Sequence, residues 1–310
     1  MTALSARGGD LERCIAELYR QACLSELDAL KPGNVHRFAD GHGMTLQDFV
    51  ASADASARPL ATPALRLGER IYRAVEATRE AVGCNTNLGI LLLCAPLAQA
   101  MFDECRTSVS LRARLRDVLT RADARDVEWL FRAIRLAAPA GLGSAARHDV
   151  FQTPTAPLIE VMAHAAERDL IARQYATGFA DLFDFALPEL RRHERRWRSK
   201  EWAVTGLFLG LLARFADTHI QRKHGLDKAV AVSRQAAELA HGLSRAVRPE
   251  HYQVRLLQAD EAFKREGINP GTSADLTVAT LFIERLESLL PAFEQKTGFS
   301  RVRDSCPQEA

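Results

Sequence analysis

The chain has 310 residues, of which 47% are hydrophobic and 26% charged, and its formal net charge is +2. These values are typical of a globular protein with a large core, and so small a net charge argues against a general nucleic-acid-binding surface. The six cysteines lack the spacing of a zinc site or a disulfide framework, so we expect free thiols in a reducing cytoplasm.

We expect neither a targeting segment nor a membrane span. Residues 1–10 lack the basic start and the apolar stretch of a signal peptide. The apolar run Leu88–Ala98 has about half of the ~20 residues that a membrane-spanning helix needs, so we interpret it as a core helix.

Hydrophobic residues recur at helical spacing along most of the chain, first in Leu11–Ala22 and Leu67–Val82. Further helices are predicted at 46–57, 108–120, 124–137, 157–186, 201–222, 226–243, 250–265 and 273–289. No segment alternates β-branched residues between turn signals, so the sequence predicts an all-α fold without a significant sheet. We expect one large multi-helix domain over residues 1–310, with the tail after about residue 300 disordered.

The first polar block is the loop Lys31–Met44, which holds three glycines between two predicted helices. Glycines let backbone amides approach a ligand closely, and Lys31 and Arg37 can pair with an anion. A loop that only turned the chain would need fewer such residues. We therefore predict that this loop contacts a phosphate or a nucleotide.

The second block is Asn85-Thr86-Asn87-Leu88-Gly89, directly before the buried helix. Polar side chains at a helix N-terminus cap it, and the free amides there favour an anion. Capping accounts for one of these residues, whereas three polar residues and a glycine indicate a ligand as well.

The third block begins with Asp217-Thr218 at the end of an apolar helix. Continued as a helix, it would place Asp217, Gln221 and His224 on one face, where they could meet one ligand. The alternative is a helix C-terminus, where the cationic Arg222, Lys223 and His224 favour the dipole. That alternative leaves Asp217 unexplained.

The fourth block, Asn269–Asp275, opens the last long helix. Thr272 and Asp275 have the spacing of a capping box, which would be a purely structural role for both. The same helix start could hold a phosphate, with Asp275 binding a metal ion or a hydroxyl group. The sequence leaves both interpretations open.

Other patterns carry less weight. Gly141–Ala146 matches a dinucleotide-binding pattern, but the segment before it is predicted to be helical rather than a strand. His148, Asp149 and His164 lack the close spacing of metal ligands. Asp169 is interpreted as a surface ion pair on a helix, with a functional role as the alternative. The basic run 191–198, placed between helices, is interpreted as a solvated helix face.

Together the four blocks resemble the triphosphoribosyl-dephospho-CoA synthase family. The matching residues are Lys31–Gly33, Val35, Arg37–Phe38, Asp40–Gly41, Met44, Asn85–Thr86, Gly89, Asp217–Thr218, Asn269–Gly271 and Ser273–Leu276. The resemblance spans about residues 15 to 290 and implies an all-helical pentosyltransferase. Such an enzyme joins ATP to 3′-dephospho-CoA, releases adenine and makes a prosthetic-group precursor for acyl carrier proteins.

The chain departs from the family pattern at three places. Asn87 and Leu88 replace a histidine and a lysine, His36 replaces an aspartate, and Arg222-Lys223-His224 replaces part of a His-Arg-Gly-Gly run. Three other segments, Gly141–Gly143, Asp169–Ala172 and Gly178–Phe179, are similar to a divergent branch of the family in archaea and methylotrophic bacteria. An enzyme of tetrahydromethanopterin- or methanofuran-linked one-carbon cofactor synthesis, with a different acceptor, is therefore the second interpretation. The third is a non-catalytic helical nucleotide-binding protein.

The resemblance also implies roles for individual residues. Because the transition state would be oxocarbenium-like, the predicted catalytic carboxylates are Asp217, Asp275 and Asp40. Predicted nucleotide- and phosphate-binding residues are Lys31, Gly33, Arg37, Asn85, Thr86, Gly89, Thr218, Arg222, Gly271 and Ser273. We expect ATP as a substrate and a Mg²⁺ ion with Asp217 and Asp275 as candidate ligands. The expected partners are small molecules, with no nucleic acid and no membrane, and a homo-oligomer is left open.

Overall fold

In the computed structural model, residues 2–102, 110–139, 143 and 147–296 are described, with side chains given from residue 9 to residue 290. Within these ranges the backbone forms α-helices joined by short loops, one π-helical turn and one 3₁₀ turn, and no sheet. The only extended pairings described are the isolated bridges His36–Ala39 and Gly41–Met44. The prediction of an all-α fold is confirmed.

The helices, in chain order, are Thr2–Asp28 (α1), Leu46–Ala61 (α2), Leu67–Val82 (α3), Leu88–Met101 (α4), Leu111–Arg121 (α5), Ala124–Ala137 (α6), Leu158–Ala165 (α7), Leu170–Thr177 (α8), Leu187–Trp197 (α9), Lys200–Arg214 (α10), Thr218–His224 (α11), Leu226–Arg245 (α12), Gln253–Arg265 (α13) and Gly271–Lys296 (α14). The π-helical turn is Asp181–Ala186, and the 3₁₀ turn is Pro249–Tyr252. In the part of the chain that the structure covers, no helix is both long enough and apolar enough to cross a membrane.

Helix α4 lies at the centre of the fold, because nearly all of its residues are buried. Pro96 has no N–H group, so it cannot donate to the carbonyl of Leu92 one turn earlier. The hydroxyl of Tyr175 in α8 donates to that carbonyl instead, at 2.5 Å. This hydrogen bond joins α8 to the central helix and satisfies a buried acceptor.

Two clusters of buried side chains hold the helices together. The larger one surrounds α4 and includes Tyr19 of α1, Ile71 of α3 and Phe282 of α14. The smaller one joins α10, α12 and α13, with Phe208 and Phe263 among its members. Helix α14 contributes to both clusters, so its N-terminal turn lies where they meet.

Two long predicted helices are broken in the structure. The predicted helix at 157–186 divides into α7, α8 and the π-helical turn, and the one at 201–222 divides into α10 and α11. In each case an aspartate caps the new helix: Asp169 accepts hydrogen bonds from the amides that open α8, and Asp217 does so for α11. Apolar residues keep their helical spacing across both interruptions, so the sequence pattern did not show where one helix ends and the next begins.

The basic run 191–198 lies within and just after α9, so its placement between helices was wrong. Its arginines form exposed pairs, such as Arg191 with Glu287 at 2.8 Å and Arg192 with Glu189 at 2.6 Å. A solvated helix face therefore describes this run.

The cysteines that the structure describes, Cys14, Cys23, Cys84 and Cys94, are free, as expected. Cys105, Cys306 and the tail after residue 300 lie outside the described residues. The same holds for all of the dinucleotide-like segment 141–146 except Gly143. One domain over residues 1–310 stays a prediction.

Candidate functional site

A cavity of about 1010 Å³ lies between the C-terminal end of α1, the loop after it and the N-terminal turns of α4, α8 and α14. Helices α6, α7 and α11 also contribute to its wall, together with Phe49 of α2 and Arg79 of α3. Ligand pockets in proteins usually measure about 300–1,000 Å³, so this cavity is large enough for two small molecules.

One part of the wall, the polar part, consists of Glu26, Asn34, Asn269 and Asp275. The side-chain Nδ2 of Asn34 donates to Asn269 Oδ1 at 2.8 Å, which joins the loop after α1 to the residues before α14. Behind this wall, the fully buried Lys31 pairs with Glu26 and donates to Asn34 Oδ1 at 2.8 Å. Burial raises the pKa of Glu26 and lowers that of Lys31, and their pairing opposes both shifts.

Asp275 is the carboxyl group that stands out in the polar part. Its side chain lines the cavity, and within the described ranges no donor is within hydrogen-bond distance of it. Burial, and then the negative charges of Asp217 and Glu26, raises its pKa well above the ordinary value. A carboxyl group held in this way is typical of functional sites.

Gly89 leaves the space that Asp275 occupies. A Cβ atom at residue 89 would lie 2.0 Å from Asp275 Oδ2 and 2.5 Å from its Cγ. Any larger residue would therefore displace the carboxyl group. Gly89, which was predicted to bind nucleotide or phosphate, lets the first turn of α4 lie directly against the carboxyl group of Asp275 on α14.

Asn85 and Thr86 also lie in the wall, at the N-terminus of α4. Asn85 Oδ1 accepts a hydrogen bond from the amide of Leu88 at 3.1 Å, and the Thr86 hydroxyl donates to Ser52 at 2.6 Å. Asn87, at the cap position, makes no side-chain capping bond. The remaining amides of the first turn of α4 face the region that Leu88, Gly89 and Ile90 line.

Helix α11 contributes His219, Gln221, Arg222 and Lys223 to the wall. Arg222 donates to Asp169 at 2.8 Å, across the gap between α11 and the N-terminus of α8. Burial lowers the pKa of His219, so this imidazole is neutral at physiological pH. A Cβ atom added at Gly271 would lie 3.4 Å from the His219 ring, so a larger residue there would be in van der Waals contact with it.

Asp217 lies behind the wall and does not line the cavity. It is fully buried, and its Oδ1 accepts from the amides of His219 and Ile220 at 2.9 and 3.2 Å. Its Oδ2 accepts from the amide and the hydroxyl of Ser273 at 2.7 and 2.8 Å. Four donors saturate this carboxylate, so the structure gives it the role of joining α11 to α14. Its predicted catalytic role has no support in this geometry.

The other predicted carboxylate, Asp40, is exposed and also lies outside the wall. Its Oδ1 accepts from the amide of Leu46 at 2.7 Å, which holds the start of α2. Arg37 is exposed as well, and its guanidinium lies 4.7 Å from the centre of the Phe38 ring. The loop Lys31–Met44 therefore reaches the cavity through Asn34, His42 and Met44 rather than through its charged residues.

Four more predicted ligand-binding residues lie outside the wall, namely Lys31, Gly33, Thr218 and Ser273. Gly33 has a φ of +85° and its amide donates to Asp260, so it turns the loop. Thr218 contacts Thr272 at 3.2 Å and holds α11 against α14. The predicted residues that do line the cavity are Asn85, Thr86, Gly89, Arg222, Gly271 and Asp275.

The predicted capping box at the start of α14 does not form. The Thr272 hydroxyl instead accepts from the amide of His219 at 3.1 Å, and Asp275 faces the cavity. The structure thus removes the purely structural explanation of Asp275 that the sequence had left open.

Asp217 and Asp275 do not fit a shared Mg²⁺ ion, because both oxygens of Asp217 are committed to donors of the chain. In the described residues no group of three or more histidine, cysteine or acidic side chains could hold a metal ion.

A second part of the wall, the apolar part, was missed by the sequence analysis. Helices α6 and α7 supply its surface, with Leu130, Phe131, Ile134, Val161 and Met162. Basic side chains also line the cavity, among them Arg79, Arg147, His148, His164 and Arg168. No motif joins these residues along the chain, so only the packing of the helices brings them together.

The structure thus defines an all-α protein with a ligand-sized cavity that has a carboxyl group inside and cations around it. The chain belongs to the ATP:dephospho-CoA triphosphoribosyl transferase family, whose model matches residues 12–293. The family resemblance seen in the sequence is confirmed.

Two further comparisons agree with this family. A protein of Photobacterium profundum, named "Probable 2-(5''-triphosphoribosyl)-3'-dephosphocoenzyme-A synthase", is 28% identical over 120 residues. That match covers 38% of this chain and spans 37% of the relative's length. A crystal structure from Archaeoglobus fulgidus, assigned as a triphosphoribosyl-dephospho-CoA synthase, superposes with a TM-score of 0.58 and 26% identity. It covers 76% of this chain and 96% of its own.

Proposed function

We propose that this chain is a pentosyltransferase that moves the triphosphoribosyl group of ATP to a hydroxyl group of 3′-dephospho-CoA and releases adenine. The family assignment supports the reaction, and the unpaired carboxyl group of Asp275 in the cavity is the observation that carries it. The bond from ribose C1′ to adenine breaks, and a bond from C1′ to the acceptor oxygen forms. The acceptor hydroxyl loses one proton, and the departing adenine takes up one at the nitrogen that left C1′, so the overall reaction is balanced in protons.

Asp275 is the residue placed to serve this chemistry. As a carboxylate, it stabilises the positive charge that develops on the ribose and accepts the hydroxyl proton. Its raised pKa makes it a better proton acceptor than an ordinary aspartate. Glu26, paired with Lys31, stays beside it as a second negative charge.

The triphosphate of ATP needs cations and amide donors. Arg222 and Lys223 line the cavity on α11, and Asn85 and Thr86 line it at the N-terminus of α4. Guanidinium groups and helix N-termini both favour phosphate. We assign the triphosphate to this region, with any Mg²⁺ ion carried by the phosphates rather than by a carboxylate pair of the chain.

The second candidate function has one observation in its favour. Leu88 lines the cavity at the start of α4, where the family pattern has a lysine. An apolar side chain there favours a less charged ligand, such as the acceptors of one-carbon cofactor synthesis, over a phosphate.

An assay of adenine release tests the proposal. We expect the purified protein to release adenine from ATP only when 3′-dephospho-CoA is present. If it releases none, and tetrahydromethanopterin or methanofuran precursors raise its melting temperature, the second function replaces the first.

A further inference from the structure

The reaction proposed beside Asp275 does not use the apolar part of the cavity. Helices α6 and α7 form an apolar surface there, while Asp275 and the cations of α11 belong to other parts of the same wall. A nucleotide bound beside Asp275 would leave the apolar part free for a second molecule, because the cavity measures about 1010 Å³.

We propose that the apolar part binds the acceptor, and that Arg147 and Arg168 hold its phosphate groups and determine acceptor specificity. This inference rests on the proposed function and locates its second substrate. The class of ligand is a phosphorylated molecule whose remaining body is long and largely uncharged.

The charges at this part favour a phosphate. Arg147 and Arg168 are exposed on the cavity wall, and within the described residues neither forms an ion pair with a carboxylate. Arg222 pairs with Asp169 through one nitrogen at 2.8 Å, and its other N–H groups stay available to a ligand. A guanidinium without a carboxylate partner keeps its full capacity for a bidentate bond to phosphate.

One acidic residue lines the cavity in the same segment as Arg147. Asp149 is almost fully buried, and its Oδ1 accepts from the amide of Phe151 at 2.9 Å. Arg147 and Arg168 are exposed, so their guanidinium groups are more accessible to a ligand than this carboxylate.

Two histidines add donors beside the arginines. The rings of His148 and His164 contact each other at a centroid distance of 5.6 Å, which joins the segment before α7 to α7 itself. His148 has a φ of 54°, a left-handed conformation that non-glycine residues seldom adopt. His148 thus lines the cavity from a backbone conformation that is unfavourable for a residue with a Cβ atom.

The apolar surface fits the rest of such an acceptor. Leu130, Phe131 and Ile134 of α6 and Val161 and Met162 of α7 line this part of the cavity. Four of them are core residues that expose little surface, so the half-buried Ile134 is the most accessible of the five. Burying an uncharged chain against this surface contributes in proportion to the area removed from water. The polar part, with its carboxyl groups and amides, offers no such surface.

Steady-state kinetics of Arg147→Gln, Arg168→Gln and the double variant test the proposal. We expect each substitution to raise the KM for 3′-dephospho-CoA about tenfold, since a charge-assisted hydrogen bond is lost. The KM for ATP should change less than twofold. The control is Arg125→Gln, an exposed arginine at the other end of α6 that lies outside the cavity wall. It should change neither constant.

A phosphate-free acceptor sharpens this test. Adenosine shares a ribose with dephospho-CoA but has no phosphate, so any turnover or competitive inhibition by it should be the same in wild type and in the double variant. A rise in the KM for ATP, with the acceptor KM unchanged, would overturn the proposal and assign these arginines to the triphosphate.

Calorimetric titration of 3′-dephospho-CoA separates this inference from the proposed function. If the wild type binds the compound without turnover, and the double variant binds it at least tenfold more weakly, the inference stands and the proposed reaction fails. If the wild type does not bind it, or if the double variant binds it equally well, the inference is overturned.

Discussion

At the scale of single residues, Asp275 is the carboxyl group on which the proposed transfer reaction depends. Its pKa in the fold lies above the ordinary value, so at neutral pH ionisation of this group opposes folding. This cost in folding free energy disappears once the pH falls below the ordinary pKa of an aspartate, because the carboxyl group is then protonated in both the folded and the unfolded state. A group that destabilises the fold and faces a cavity is typical of a functional site.

Asp275→Asn should therefore raise the melting temperature at pH 7 while it lowers kcat about 100-fold or more, since the charge and the proton acceptor are both lost. Thermal unfolding and adenine release on the same sample measure both effects. In the wild type, kcat/KM should fall with decreasing pH at a pKa above that of an ordinary aspartate. A lower melting temperature with unchanged kcat would show that Asp275 is only structural.

Gly89→Ala is the second test at this scale. An added Cβ would lie 2.0 Å from Asp275 Oδ2, so the carboxyl group must move and activity should fall by an order of magnitude or more. Gly210→Ala in α10 is the matched control, because its Cβ would meet atoms no nearer than 3.8 Å. The control should gain up to about 1 kcal/mol of stability and keep its activity. Equal activity in both variants would contradict the role of Gly89.

At the scale of elements, the joints between helices explain why some predicted site residues lie outside the cavity wall. Asp217 was expected to face a ligand on a continuing helix, but α10 ends at Arg214 and Asp217 caps the start of α11. Two of its four hydrogen bonds come from Ser273, which lies 56 residues further along the chain. A long-range pairing of this kind leaves no periodic signal in the sequence.

Asp217→Asn tests this structural role. The new amide group would place a donor opposite the donors of His219 or Ser273, so we expect a loss of about 1–3 kcal/mol in unfolding free energy. The folded fraction should still release adenine. Denaturant unfolding measures the first effect, and an assay well below the melting temperature measures the second.

Tyr175→Phe tests the joint between α8 and α4. Removal of the hydroxyl leaves the Leu92 carbonyl unpaired beside Pro96, which should cost about 1–3 kcal/mol of stability. Tyr72→Phe is the control, since its ring packs on Trp129 and no hydrogen bond of its hydroxyl is described. Equal stability of the two variants in urea would show that the Leu92 carbonyl needs no partner.

At the scale of the whole molecule, hydrophobic periodicity was enough to predict the all-α fold, because every helix buries one face or, for α4, its whole circumference. Motifs at the starts of α4 and α14 predicted Asn85, Gly89 and Asp275 as site residues, and these three line the cavity. Exposure could not be read from composition, so Arg37 and Asp40 were included although they face solvent away from the wall.

The apolar part of the cavity could not be predicted at all. Phe131 and Met162 each belong to an ordinary helical pattern of apolar residues. Arg147 and Arg168 cannot be told apart in the sequence from arginines on any protein surface. Only the packing of α6 and α7 around one space gives them a common role. Pattern analysis finds residues that are near each other in sequence, whereas this wall is assembled from distant segments.

The central claim is that the chemistry takes place beside Asp275 and that Asp217 supports the fold. The most direct measurement is the yield of adenine and of triphosphoribosyl-dephospho-CoA, by mass spectrometry, from ATP and 3′-dephospho-CoA with three proteins: wild type, Asp275→Asn and Asp217→Asn. We expect equal yields of the two products from the wild type, almost none from Asp275→Asn, and substantial yields from folded Asp217→Asn. Full activity of Asp275→Asn together with loss of activity in folded Asp217→Asn would contradict it.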